Sequence, residues 1–260
     1  MGALQPLLGS NNFQAGARSR ALSHASVSYS DTWSTYNNQA GMAGITDISA
    51  GFYYESKFNI DKLTFQACSV ILPTGYGSFG LSIYQFGRST YKENKLALAY
   101  AKKLSNKFQA GIQMDYFSHL LPENDKPAEI ATFEAGLIFK VTNKLFLATH
   151  IFNPVSKGYN YPAGKITMPT VLRTGGHYIF DESLLVAFEA EKDEEHPLKI
   201  MAGLEYMPVE SLAFRIGFSE KPFKYTAGFG FRLSKFTADL GFGYHGNLGI
   251  TPSISVQVSL

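Results

Sequence analysis

Phe108-Gln-Ala-Gly-Ile-Gln-Met-Asp-Tyr116 decides how the rest of the chain is read. In an extended chain Phe108, Ala110, Ile112, Met114 and Tyr116 fall on one side, and Gln109, Gly111, Gln113 and Asp115 on the other. A period of two marks a strand with two unlike faces; helical spacing would mix the two sets. The alternation recurs over 198–206, 225–233 and 236–244. It closes the chain with Ile254, Val256, Val258 and Leu260 against Ser253, Ser255, Gln257 and Ser259. From residue 47 onward it predicts about fourteen strands, most of about nine to eleven residues, the length that crosses a bilayer at a tilt of about 45°. Strands of soluble sandwiches are usually nearer five or six residues.

The connections alternate in length. Ser105-Asn106, Thr142-Asn143, 181–183, 208–211 and Ser234-Lys235 are tight turns, whereas 119–128, 153–169, 193–197, 220–224 and 246–249 are longer links. Short turns at one end and long loops at the other describe an all-β, antiparallel transmembrane β-barrel of the outer-membrane type. An even strand count places both termini at the turn end, the periplasm of a Gram-negative bacterium. The two faces agree with this. One is Leu, Ile, Val, Phe, Ala and Tyr, as lipid demands, because a charge at mid-bilayer costs about 2–4 kcal/mol. The other carries Glu134, Lys140, Arg173, His177, Glu189, Glu191, Lys199, Glu205, Arg215, Arg232 and Asp239, both signs interleaved with Gly. A lipocalin-like barrel or a sandwich would turn the apolar face inward and would need fewer, shorter strands.

Composition narrows the classes further. Only 17% of the 260 residues are charged, and 23 Lys and Arg against 21 Asp and Glu leave a net charge of +2. That excludes a nucleic-acid binder driven by bulk charge. With 45% apolar residues, and Phe and Tyr together numbering 36, the chain is no disordered one either. One Cys allows no internal disulfide and no Cys-based zinc cage, and Cys68 reads as a small packed residue. No apolar run reaches the roughly eighteen residues of a transmembrane helix. Residues 1–8 lack a basic start and an apolar core, so they do not read as an intact signal peptide.

Residues 1–46 break the alternation and are rich in Ser, Ala, Asn and Gly, so the chain divides into a segment 1–46 and a barrel 47–260. Trp33, Tyr29 and Tyr36 are costly to leave in water, and the small residues allow close packing, which predicts a plug inside the barrel. Arg18 and Arg20 would then meet carboxylates of the lumen wall at Glu134, Glu189, Glu205 or Asp239, with Arg173, Arg215 and Arg232 among the wall's own cations.

Gly16-Ala17-Arg18-Ser19, Ala21-Leu22, Ala25, Asp31 and Asn38-x-Ala40-Gly41 resemble the N-terminal region of the FadL-type outer-membrane transporters and their PorV-like relatives of the type IX secretion apparatus. The Pro that follows Asn in that pattern is Gln39 here, and its paired glycines are Ser23-His24. The resemblance implies a fourteen-stranded barrel with an N-terminal hatch that includes Asn38, Ala40 and Gly41. It implies either gated passage or binding of a small hydrophobic, lipid-like compound, or an accessory barrel docked to a larger outer-membrane transport, secretion or assembly complex. Membrane lipid and lipopolysaccharide are the expected surroundings.

Other chemistry finds little support. Gly75-Tyr-Gly77-Ser-Phe-Gly80 fits a nucleotide-loop spacing, but strand alternation follows it, so it reads as a turn entering a strand. The six His lack metal-binding spacing, so no metal or cofactor is expected. A Ser–His pair assembled across strands, with His177 or His245 facing the lumen, reads as ordinary hydrogen bonding. Glu189 and Glu191, near Asp193, Glu194 and Glu195, read as a solvated rim. Tyr53, Tyr54, Tyr100, Tyr116, Tyr178, Tyr206, Tyr225 and Tyr244 read as an interfacial girdle. No catalysis is predicted.

Overall fold

The alternating runs pair edge to edge and close on themselves. The computed structural model describes residues 13–89, 91–124, 126–162 and 164–260. Its wall comprises β1 (Ser49–Ser56), β2 (Thr64–Thr74), β3 (Gly77–Phe86), β4 (Lys92–Lys103), β5 (Phe108–Leu120), β6 (Ala128–Lys140) and β7 (Leu145–Phe152). It continues through β10 (Val171–Ile179), β11 (Leu184–Asp193), β12 (Lys199–Val209), β13 (Leu212–Ser219), β14 (Lys224–Leu233), β15 (Phe236–His245) and β16 (Gly249–Ser259). Among the described residues these fourteen strands form a closed antiparallel barrel, with β1 paired to β16 from Ser49↔Ser259 to Glu55↔Ser253. Closure satisfies the backbone of every strand and leaves no sheet edge.

Strand parity sets the two faces. Ile112 and Met114 are 62% and 70% exposed, whereas their neighbours Gln113 and Asp115 are 2% and 0% exposed. Leu98, Ile216, Phe229, Leu240 and Ile254 continue the outward apolar belt around the wall. A continuous apolar surface of this kind is a surface for lipid, since water would leave it unsolvated at a cost proportional to its area.

The N-terminal residues lie against the inward faces. α1 (Ala17–Ala21) packs on β13–β16, and α2 (Ser34–Asn37) packs on β3. A 3-10 turn, Gln39–Gly44, packs on β2–β6. Ala17, Ala21, Leu22, Trp33, Tyr36 and Met42 are buried there. Close approach depends on inward glycines: a Cβ at Gly136 would collide with Asn38 Oδ1. Residues 1–12 of the expected plug segment lie outside the described residues.

Three expectations are corrected. The 153–169 link contains a two-stranded hairpin, β8 (Gly158–Tyr161) and β9 (Gly164–Thr167), too short to register as alternation. Tyr53 does not belong to an outer girdle; it is fully buried inside the barrel, edge-on to Trp33 at 5.8 Å, with its hydroxyl donating to Glu55. Cys68 is half-buried on the outward parity of β2 beside exposed Val70, so it is not a packed interior residue.

Candidate functional site

Three polar networks join the N-terminal segment to the wall. Toward the turn end, the Arg18 guanidinium donates two bonds to Glu205, at 2.8 and 2.7 Å. Glu205 also accepts from Arg215 Nε at 2.5 Å, and Arg215 Nη1 donates to Asp239 at 2.7 Å. Glu205 and Arg215 are cross-strand partners on β12 and β13, whereas Asp239 lies two strands from Arg215 on β15. The reach is open because Gly230 stands opposite Asp239 on β14, where a Cβ would sit 2.5 Å from Arg215 Nη2. A chain of alternating charges buried this deeply costs desolvation, and its partners offset that cost only while all are present.

The second network holds residues 26–37. Arg173 Nε donates to Glu189 at 2.6 Å and Arg173 Nη1 to the Asn37 carbonyl at 2.8 Å. The other Glu189 oxygen accepts the backbone N–H groups of Ser26 and Val27, at 2.9 and 2.8 Å. Glu189 is therefore buried and bonded rather than part of a solvated rim, because three donors, Arg173 Nε from the wall and the Ser26 and Val27 N–H groups from the segment, converge on it. In the third network Glu134 takes Lys95 Nζ at 2.5 Å, His150 Nε2 at 2.9 Å and the Gln39 amide at 2.7 Å. The Asn38 carboxamide caps the 3-10 turn, accepting from Ala40 N at 3.1 Å and donating to the Val27 carbonyl at 2.8 Å, while Gly41 N bonds the Asn38 carbonyl at 2.9 Å.

Two expected partners are placed differently. Arg20 pairs with Glu55, at 3.3 Å, rather than with Glu134, Glu189, Glu205 or Asp239, because α1 directs it toward the loop end of β1. Arg232 is exposed and forms no ion pair with any described residue; it sits beside the β14–β15 turn, where water reaches it. Glu55, Lys95 and His150 were not singled out from sequence, although inward parity would have marked Glu55 beside Tyr53 and Lys95 between Leu96 and Asn94. The Ser–His arrangement exists as Ser28 Oγ and His177 Nδ1, 2.8 Å apart, with His177 stacked on Phe146 at 4.6 Å. Both residues are buried, and neither borders either of the two spaces described below.

Above the segment, at the loop end, lies a cavity of about 730 Å³. Phe13, Leu63, Phe65, Phe86, Tyr91 and Leu121 form its apolar side. Among the described residues its charged lining holds seven Lys and Arg against four Asp and Glu, a surplus of three. The whole chain has a net charge of only +2, so the positive surplus is concentrated here. A smaller space of about 130 Å³ opens at the turn end beside Arg18, Asp31, Glu205, Arg215 and Asp239. Arg20 lines the first space and Arg18 the second, so α1 stands between them.

Ser23 and His24, where the resembled pattern has paired glycines, retain a left-handed backbone, with φ of 55° and 67°. That conformation costs a residue with a Cβ roughly 1–2 kcal/mol. It is held by Thr226, whose Oγ1 lies 3.0 Å from both the N–H and the hydroxyl of Ser23. The turn aims the His24 ring at the cavity, where Nε2 lies 3.3 Å from Arg20 Nη1. Burial, then the nearby Arg20, Lys199, Arg173 and Lys224, hold this imidazole well below its usual range. Among the described residues no cluster of His, Cys, Asp and Glu is arranged to hold a metal.

No protein-family model matches the chain, and no curated protein matches it in sequence. Solved structures do match in fold. The CymD monoaromatic hydrocarbon channel superposes with a TM-score of 0.71 at 13% identity, over 97% of this chain and 99% of that one. The Ralstonia pickettii toluene transporter TbuX follows at 0.70 and 12% identity, over 96% and 99% of the two chains. A Pseudomonas aeruginosa FadL homologue gives 0.69 and 11% identity, over 94% and 98%. The chain has the FadL-type outer-membrane barrel fold.

Proposed function

We propose that this protein is a non-enzymatic conduit in the outer membrane of a Gram-negative bacterium. It admits a small hydrophobic compound from the loop end, and residues 1–46 act as the plug. The observation that carries the reading is the position of α1, between an apolar-walled cavity and a smaller polar space, fastened to the wall through Glu205. Both termini are periplasmic in this reading, so the large cavity faces outward and the Arg18 network guards the exit. The resemblance in fold to a monoaromatic hydrocarbon channel and a toluene transporter supports a small apolar cargo. Uptake of styrene into lipopolysaccharide-containing proteoliposomes is the test. The protein should raise uptake above that of empty vesicles; no increase, with one larger outer-membrane protein persistently co-purifying, would favour the accessory role instead.

A further inference from the structure

Phe13 lies in a ring-sized slot at the edge of the large cavity. Its ring stacks on Phe65 with centroids 4.9 Å apart, meets Tyr84 at 5.4 Å and lies 4.8 Å from Phe86. Lys57 Nζ caps the same slot, 4.2 Å from the Phe13 centroid and 4.8 Å from that of Phe86. Phe65, Tyr84 and Phe86 are buried residues of the wall, on β2 and β3, whereas Phe13 belongs to the N-terminal segment and is only partly buried. Three fixed aromatic walls therefore surround one ring carried on a different part of the chain. Aromatic pairs and a capping cation favour a ring in such a place whatever it is attached to.

The slot opens onto the cationic side of the cavity. Arg20, Lys57, Lys199 and Lys224 line it, and of these Lys57 and Lys224 form no ion pair with any described residue. Glu55 and Glu93 line the same cavity, but neither lies within ion-pair distance of Lys57 or Lys224. Two ammonium groups held in this way, in a partly enclosed space whose lining carries a positive surplus, attract an anion more strongly than they would in open water.

We propose that Phe13 fills an aromatic subsite of its own chain, and that the ligand which displaces it is a single-ring aromatic carboxylate. The ligand ring takes the slot between Phe65, Tyr84 and Phe86, and its carboxylate meets Lys57 and Lys224. This rests on reading the cavity as a ligand chamber. A site occupied by its own side chain binds a competitor more weakly by the fraction of time it stands free.

Calorimetric titration of the detergent-purified full chain with 3-phenylpropionate and its neutral amide, 3-phenylpropionamide, tests this. Folding is checked for each variant by the gel shift of the unheated barrel. Phe13→Ala should bind the carboxylate about tenfold tighter than the wild-type chain. It should also prefer carboxylate over amide, and adding Lys57→Gln and Lys224→Gln should abolish that preference while leaving amide binding in place. Binding of the amide by Phe13→Ala with no gain over wild type would overturn the occupancy of the slot by Phe13. Equal affinity for carboxylate and amide would overturn the anionic part. Failure of the folded variant to bind either compound would overturn the inference together with the chamber reading beneath it.

Discussion

The two ends of the lumen differ in how they handle charge. At the turn end, Arg18, Glu205, Arg215 and Asp239 form a continuous run of opposite charges, and the space left beside them is about 130 Å³. At the loop end, the space is about 730 Å³ and its cations outnumber its carboxylates. The wall is the same closed ladder at both ends, so the contrast arises from the N-terminal segment and from which inward positions hold Gly or a charge. A paired, close-packed end resists opening, because each separated partner would be left buried and uncompensated. The end with cations in surplus and an apolar side is the one where, in the proposed reading, a ligand enters.

The strongest way to break this contrast is to delete residues 1–46. The wall hydrogen bonds do not pass through that segment, so the gel shift of a folded barrel should persist while single-channel conductance in planar bilayers rises from a closed to an open level. Next in size is Glu205→Gln, which removes the carboxylate that Arg18 and Arg215 share and leaves them only Asp31, at 3.6 Å, and Asp239, at 2.7 Å. The expected loss is about 3 kcal/mol, the low end for a broken buried pair, since the Arg18 side chain is 24% exposed. Hydrogen exchange should then report faster opening of residues 17–31 with the strands unchanged. Gly136→Ala should cost about 1–3 kcal/mol by overpacking Asn38, read as a lower melting temperature with the cavity at the loop end still binding ligand. Arg232→Ala should be smallest, within about 0.5 kcal/mol in the same melts, since that side chain is exposed and has no ion pair among the described residues.

The barrel was legible because lipid and lumen impose opposite chemistry on adjacent residues, and this imprints a period of two on every long strand. Fourteen strands could be counted from residues such as Ile112 against Gln113. The hairpin at Tyr159 and Ile166 was not, because four-residue strands repeat the alternation too few times. Which charge meets which depended on register and on the path of a segment with no period at all. Arg18 and Glu205 both stood out as residue types, but that Arg20 would turn to Glu55 followed from the direction in which α1 leaves the β15–β16 wall. Glu189 looked solvated beside Asp193 because the Ser26 and Val27 N–H groups that reach it come from 163 and 162 residues earlier in the chain. The cavity was least legible, since its lining is gathered from loop ends that carry no pattern.

If residues 1–46 act as the proposed plug, the N-terminal segment must move from the wall for cargo to pass. Ser23 Oγ and Thr226 Oγ1 lie 3.0 Å apart, one on the segment and one on β14, so cysteines at both positions in a Cys68→Ser background could tether the segment covalently. Styrene uptake into lipopolysaccharide-containing proteoliposomes would be measured before and after reduction. The account predicts uptake near that of empty vesicles when the tether is oxidised, and recovery to the untethered rate on reduction. Equal uptake in the oxidised and reduced states, with the cross-link verified by mass spectrometry, would contradict it.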